Sequence, residues 1–188
     1  MLRIVAVLTI AFAVFGLLFA AVPSALATQI IYRTPQEMGE QSSLVVQGKV
    51  VGVRSFWNEK RTKIFTETTV QIEEAFKGPN TGTVRVLQLG GTVGSIKVTV
   101  AGALQWRTGE EVLLFLEEAT ADTYLVSGFS QGKFNIVRDP ATGEAFVRRP
   151  ALEGAEVLGA PPSGQEVSTS AVVNMPLRQF VDDALNRR

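Results

Sequence analysis

Two residue types that carry much of enzyme chemistry are missing from this chain: it has no cysteine and no histidine. Without cysteine there are no disulfides, no thiol nucleophile and no thiolate metal ligand. Without histidine the commonest general base and the commonest zinc ligand are gone as well. Carboxylates, lysines and hydroxyls are what remains for catalysis, and neither a metal nor an organic cofactor is expected. An excess of charge of one sign is also missing. Lys plus Arg and Asp plus Glu number 18 each, so no long-range field draws the chain to nucleic acid or to an anionic membrane. At 188 residues the chain has room for one domain with a real hydrophobic core plus a targeting segment.

Arg3 precedes an unbroken apolar run from Ile4 to Val22, followed by Pro23, Ser24 and Ala25-Leu26-Ala27. A charged start, an apolar middle and a small-x-small site form the layout of a secretory signal peptide. Cleavage after Ala27 is expected, leaving a secreted or periplasmic protein that starts at Thr28 and has no membrane attachment. The competing reading is an uncleaved anchor, because the run approaches the roughly 20 apolar residues of a spanning helix. No cysteine stands at the site to carry a lipid. A cysteine-free exported domain must then hold together through its core alone.

The densest strand and turn signals lie between Leu87 and Glu118. Val112 to Leu116 is apolar on both alternating faces, which predicts a central strand covered on both sides. Ile96, Val98 and Val100 alternate with Ser95, Lys97 and Thr99, which predicts a strand with one buried and one wetted face. Gly90, Gly91, Gly94, Gly102 and Gly109 mark tight reversals between antiparallel neighbours. Upstream, Ser43 to Val53 predicts a long strand with Leu44, Val46 and Val50 on one face. The apolar parity shifts at Gly52, the sign of a bulge that lets one strand serve both halves of a small barrel. Ile64 to Phe76, rich in β-branched threonines, predicts the next strand, with Ile64, Val70, Ile72 and Phe76 in step. Thr83–Leu89, Tyr124–Ser127, Phe134 with Ile136, and Ala145–Val147 complete the set. Phe134 and Ile136 alternate with Lys133 and Asn135.

Thr34-Pro35-Gln36-Glu37 matches a capping box, so a short helix to about Gln41 is expected. The stretch 150–172, with Gly154, Gly159, Pro161, Pro162 and Gly164, has linker composition. Within 173–188, Leu177, Phe180, Val181, Ala184 and Leu185 recur at helical spacing after Asn174, a good cap, and predict an amphipathic helix docked on the domain. The organisation expected is a signal peptide over 1–27, an all-β domain over 28–149, the linker, and the C-terminal helix. The fold expected for the domain is a small OB-like antiparallel barrel of about seven or eight strands with one short helix at either end.

The segments LVVQGKVVGV, VQIEEAFKG, VRVLQLGG, GEEVLLFLEE and QGKFNIVRDPATG resemble those of a family of uncharacterised exported bacterial proteins, over Leu44 to about Arg148. Their order is also similar to that of the OB-type barrel of netrin-like and metalloproteinase-inhibitor domains. The resemblance implies a fold. The inhibitors present an N-terminal cysteine to the protease metal, and Thr28 cannot do that, so no functional residue carries over.

Glu73-Glu74, Glu110-Glu111 and Glu117-Glu118 are adjacent carboxylates, but neighbours on a strand point to opposite faces and do not converge on one substrate. Solvated strand ends explain them. Ser95 and Lys97 mimic a Ser-Lys pair without any oxyanion-hole signature, and Gly90 to Gly94 lack the Lys-Ser/Thr ending of a phosphate loop. Phe56, Trp57, Trp106 and Arg107 stand apart as candidate contacts for a ligand or partner, because large aromatics in turn-rich segments beside arginines can stack on sugars or peptides. The alternative is that both tryptophans cap the open ends of the barrel as core. The function expected is a non-catalytic binding or accessory module for an unknown protein or glycan. A protease inhibitor or protein-interaction domain of netrin-like type and a carboxylate-only hydrolase are the alternatives.

Overall fold

The computed structural model describes residues 28–150, 155–159 and 175–187. The signal segment, most of the expected linker and the expected cap Asn174 lie outside the described residues. The protein is mostly β. Strands β1 (Thr28–Ile31), β2 (Leu44–Trp57), β3 (Ile64–Lys77), β4 (Thr83–Leu89), β5 (Gly91–Val93) and β6 (Ile96–Val98) come first. They are followed by β7 (Glu111–Thr120), β8 (Thr123–Val126), β9 (Lys133–Arg138), β10 (Ala145–Arg148), β11 (Ala155–Leu158) and β12 (Met175–Pro176). The two short helices are α1 (Pro35–Gln41) and α2 (Leu177–Ala184). Among the described residues no helix is long and apolar enough to cross a membrane.

Eight strands share one mixed sheet in the order β12-β10-β9-β7-β2-β3-β4-β8. A further antiparallel pairing of β8 with β7 brings the sheet back on itself. One edge of β7 follows β2, and its other edge is divided: Val112–Leu114 pair with β9, and Leu116–Thr120 pair with β8. Strand β7 is therefore central, as its doubly apolar run predicts. Leu113 and Phe115 face a cluster that holds Met38 of α1, Phe180 and Val181 of α2, Phe134 and Val147. Val112, Leu114 and Leu116 face a second cluster with Val46, Val50, Val70, Val86 and Leu104. All five residues of the run are fully buried.

Strand β2 bends as expected at Gly52, where the register with β3 shifts between Val50 and Gly52. Before the bulge Val50 is buried. After it Val53 and Ser55 lie opposite Thr68 and Thr66, the buried row of β3. A second shift, between Gln47 and Gly48, corrects one expectation. It leaves Glu73 as an extra residue between Ile72 and Glu74, so β3 changes face there: Ile72 belongs to the second cluster and Phe76 to the first. Ile64, Val70, Ile72 and Phe76 are consequently not on one face, because the extra residue reverses the parity.

Helix α1 begins as its sequence predicts. The Thr34 hydroxyl accepts from the Glu37 N–H at 3.2 Å, and the Glu37 carboxylate accepts from the Thr34 N–H at 2.8 Å. Lys77 Nζ donates to the Gly39 and Glu40 carbonyls at 2.9 and 3.1 Å, which satisfies acceptors at the helix end. Gly39 is required by close approach: a β-carbon there would stand 2.2 Å from the Ala184 carbonyl oxygen of α2. Helix α2 starts at Leu177 behind Pro176 and has no side-chain cap. Its start is later than the Asn174 pattern predicts. Its apolar face, Leu177, Phe180, Val181 and Ala184, is docked. Packing supplies what capping does not, because a helix this short draws its stability from tertiary contact.

Three further features depart from the sequence pattern. Strand β11 lies inside the stretch with linker composition and pairs in parallel with β1, another strand the sequence does not announce. Strands β5 and β6 form their own hairpin, and Ile96 and Val98 are exposed at 50% and 37%. That hairpin has no buried face of its own. Lys133, a charged residue that alternates with Phe134 and Ile136 in the sequence, is buried.

Candidate functional site

The segment 99–110 links the β5–β6 hairpin to β7 and lies over the end of the second cluster, into which Leu104 is buried. Two polar side chains from the sheet hold it. Gln88, near the end of β4, donates from Nε2 to the Leu104 carbonyl at 2.9 Å and accepts at Oε1 from the Trp106 indole N–H at 3.0 Å. Lys133, the first residue of β9, donates from Nζ to the Gln105 carbonyl at 2.8 Å and to Glu110 Oε1 at 2.7 Å. The same ammonium stands 4.5 Å from the centroid of the Trp106 ring. Its side chain is 2% exposed. Burial holds its pKa below the ordinary lysine range, against the opposing pull of the Glu110 hydrogen bond.

Lys133 is buried because Phe134, its neighbour, faces the helices: the side chains alternate across β9, so Lys133 falls on the side of Leu114, its partner on β7. A lysine at a strand start looks solvated in the sequence. Only the segment folding over it closes the site.

On one side of the 99–110 segment is a polar cleft of about 340 Å³, whose wall includes Ser55, Thr66, Lys97 and Trp106. Thr66 Oγ1 donates to the Gly90 carbonyl at 2.8 Å, so in its 2.9 Å contact with Ser55 Oγ the serine is the donor. Ser55 Oγ also accepts from the Thr92 N–H at 3.3 Å. The serine proton is thereby committed to a hydroxyl that has no base behind it. Gly91 permits this closeness. Its φ is +136°, and a β-carbon would stand 2.3 Å from Thr66 Oγ1 and 2.4 Å from Ser55 Oγ.

On the other side is a larger apolar cleft of about 430 Å³. Leu87 and Leu89 of β4, Phe65 of β3, Leu104 and Leu125 of β8 line it, and Phe129 closes its far wall. Leu89, Leu125 and Phe129 are 39%, 46% and 49% exposed, a concentration of large apolar surface at one place. Phe129 has φ +70°, a conformation that costs an ordinary L-residue on the order of 1–2 kcal/mol. Its loop is held from behind by Gln131, itself 1% exposed. The Gln131 amide accepts from the Arg33 N–H at 3.0 Å and donates to the Ile31 and Gly128 carbonyls at 2.8 and 3.2 Å. Arg33 and Glu117 form an ion pair at 3.1 Å on the rim, and Ser127 Oγ donates to the same Glu117 oxygen at 2.7 Å.

The four contact residues expected from sequence are spread over this region. Phe56 and Trp57 are the last two residues of β2 rather than part of a turn. Phe56 stacks 6.4 Å from Phe65, under the Arg54 guanidinium at 5.3 Å. Trp106 is half-buried against the second cluster and lines the polar cleft. Arg107 is exposed, and its backbone N–H donates to Glu110. The wall of the polar cleft includes Trp106 but not Phe56, Trp57 or Arg107. The apolar cleft is reached by none of the four directly. Its defining residue, Phe129, carried one signal in the sequence: an aromatic at the tip of the glycine-flanked reversal Gly128 to Gly132.

The carboxylate pairs are each divided between partners. Glu110 takes buried Lys133, whereas Glu111 takes Arg138 at 2.7 Å. Glu117 takes Arg33, and Glu118 is exposed. Glu73 accepts from Gln47 at 3.1 Å, and Glu74 from Arg178 in two bonds of 2.6 and 2.7 Å. Glu110 is therefore no solvated strand end but the counter-charge of a buried lysine. Ser95 stands in a turn, and neither Ser95 nor Lys97 is buried. Among the described residues no group of three or more carboxylates could hold a metal ion. No family model and no curated protein matches the chain.

Proposed function

We propose that this chain is an exported, non-catalytic binding module, in which β7, β2, β3, β4 and β8 form a small OB-like barrel. The barrel reading is supported by the ring of strand pairings through β8. Export rests on the layout of residues 1–27. The observation that carries the binding function is the apolar cleft beside Phe129. An aromatic held half-exposed in a left-handed conformation by a buried glutamine is a feature the fold does not need for its own stability. Its volume falls in the usual range for ligand sites of about 300–1,000 Å³. The commitment of Ser55 to Thr66 and the division of the carboxylate pairs argue against hydrolysis.

Titration with an apolar fluorescent dye such as anilinonaphthalene sulfonate tests the reading, together with a panel of peptide, ester and glycoside substrates. Binding that is lost in Phe129→Gly and kept in Trp106→Phe, with no turnover, is the expected result. Turnover that disappears on replacing a glutamate, or dye binding indifferent to Phe129, refutes it.

A further inference from the structure

The apolar cleft is also a gap between two strand edges. Immediately after β4 the Gly90 N–H donates to the Ile64 carbonyl at 2.8 Å, and immediately before it the Gly82 carbonyl accepts from the Ile72 N–H at 2.9 Å. Even-numbered residues of β4 therefore turn their backbone groups towards β3. Antiparallel alternation then turns those of Leu87 and Leu89 the other way, towards β8. In β8 the Ser127 N–H donates to the Phe115 carbonyl at 2.8 Å. Odd-numbered residues there face β7, and Tyr124 and Val126 face β4. The two edges meet at a single parallel bridge, Val86 with Tyr124. Beyond it no further bridge joins them, and residues of both strands line the cleft. The ladder pairings leave Leu89 and Val126 without a strand partner on this side among the described residues.

Resting on the binding-module reading above, we propose that the cleft takes an extended peptide segment, which adds as a short strand between the Leu87–Leu89 edge of β4 and the end of β8. The backbone decides the chemistry. An acyl chain would satisfy the apolar wall but leave the inward-facing N–H and C=O groups without partners, at a cost of about 1–3 kcal/mol for each buried group. A peptide strand satisfies both wall and edges, in the manner of strand addition to an open sheet edge. Its side chains facing the cleft are apolar, because Leu89, Leu104, Leu125 and Phe129 meet them. They are also uncharged, because the rim cation Arg33 is already neutralised by Glu117.

Three probes and one variant test this by amide NMR of the isotope-labelled protein. The probes are a capped hexapeptide alternating valine with threonine, the same peptide with alternate amides N-methylated, and dodecanoate. The first peptide is expected to shift the amides of Leu89, Val126 and Phe129 and to slow hydrogen exchange at Leu89 and Val126. N-methylation, which removes the strand-pairing donors, should weaken binding about tenfold. Phe129→Gly should also weaken it about tenfold, while leaving the melting temperature unchanged, since a φ of +70° suits glycine. Should glycine loosen the loop, Leu125→Ser gives the same readout from β8. Equal binding of the methylated peptide overturns strand addition. Binding of dodecanoate alone overturns the peptide while leaving the binding module standing. If no probe shifts the cleft amides, both readings fall.

Discussion

The two faces of strand β7 are equally apolar in sequence and end in different surroundings. Leu113 and Phe115 look into a dry core sealed by two helices. There Phe115, Phe134 and Phe180 meet with ring centroids 4.7 to 6.3 Å apart. Val112, Leu114 and Leu116 look into the second cluster, beside which the 99–110 segment is held by Gln88, Trp106, Lys133 and Glu110. The helix-covered face is closed by regular elements with apolar side chains. The second cluster is covered by a loop tethered through charged and amide groups, and both clefts lie along that loop. The proposed recognition site lies beside the second face, because irregular cover leaves more side chains exposed there than regular elements do.

Phe115→Ala should cost about 3–5 kcal/mol in denaturant unfolding, since an aromatic cluster on a helix-covered face cannot collapse into the void. Leu114→Ala, on the opposite face of the same strand, should cost about 2–5 kcal/mol, towards the lower end if the looser 99–110 cover relaxes into the space. If Leu114→Ala proves the costlier, the second cluster is the stiffer of the two cores.

Lys133→Met leaves Glu110 without its cation, and a loss of about 2 kcal/mol near neutral pH is expected, less than for a fully buried pair because Glu110 keeps some solvent contact. The folded-state pKa of Lys133 lies below its unfolded value. Its contribution is therefore greatest above the unfolded lysine range of about 10.4 and declines as pH falls through the folded value. The stability difference between wild type and Lys133→Met should accordingly shift in favour of wild type as pH rises through that window. A pH-independent difference would mean that the lysine is not desolvated. The smallest effect is expected far from either core: Thr34→Ala removes the cap of α1 at a cost of about 1 kcal/mol, read as a small fall in melting temperature.

Much of this was legible from local pattern. The capping box at Thr34, the central strand from Val112, the bend at Gly52 and the docked face of α2 each depend on residues close in sequence, where propensity, parity and periodicity act directly. Other features were not legible because their causes are remote. Parity sets Lys133 on the face opposite Phe134 but not its burial, which comes from a segment more than 20 residues earlier. The extra residue at Glu73 appears only when β3 is laid against β2. Strand β1 finds its partner in a stretch of linker composition. The aromatic candidates of the sequence, Phe56, Trp57 and Trp106, came out where large rings stand beside arginines. The cleft instead formed where two strands part, a property of neither strand alone.

By itself, then, the sequence determined the β class, the central strand, the helix ends that carry caps and the exclusion of thiol and imidazole chemistry. These follow from short-range sterics, hydrogen bonding and residue identity. Tertiary structure alone decided which face each core residue serves, that a lysine is buried against a glutamate, and that β4 and β8 meet at a single bridge. Those outcomes depend on register and chain closure, which are settled by the summed burial of many distant side chains and leave no mark at any one position.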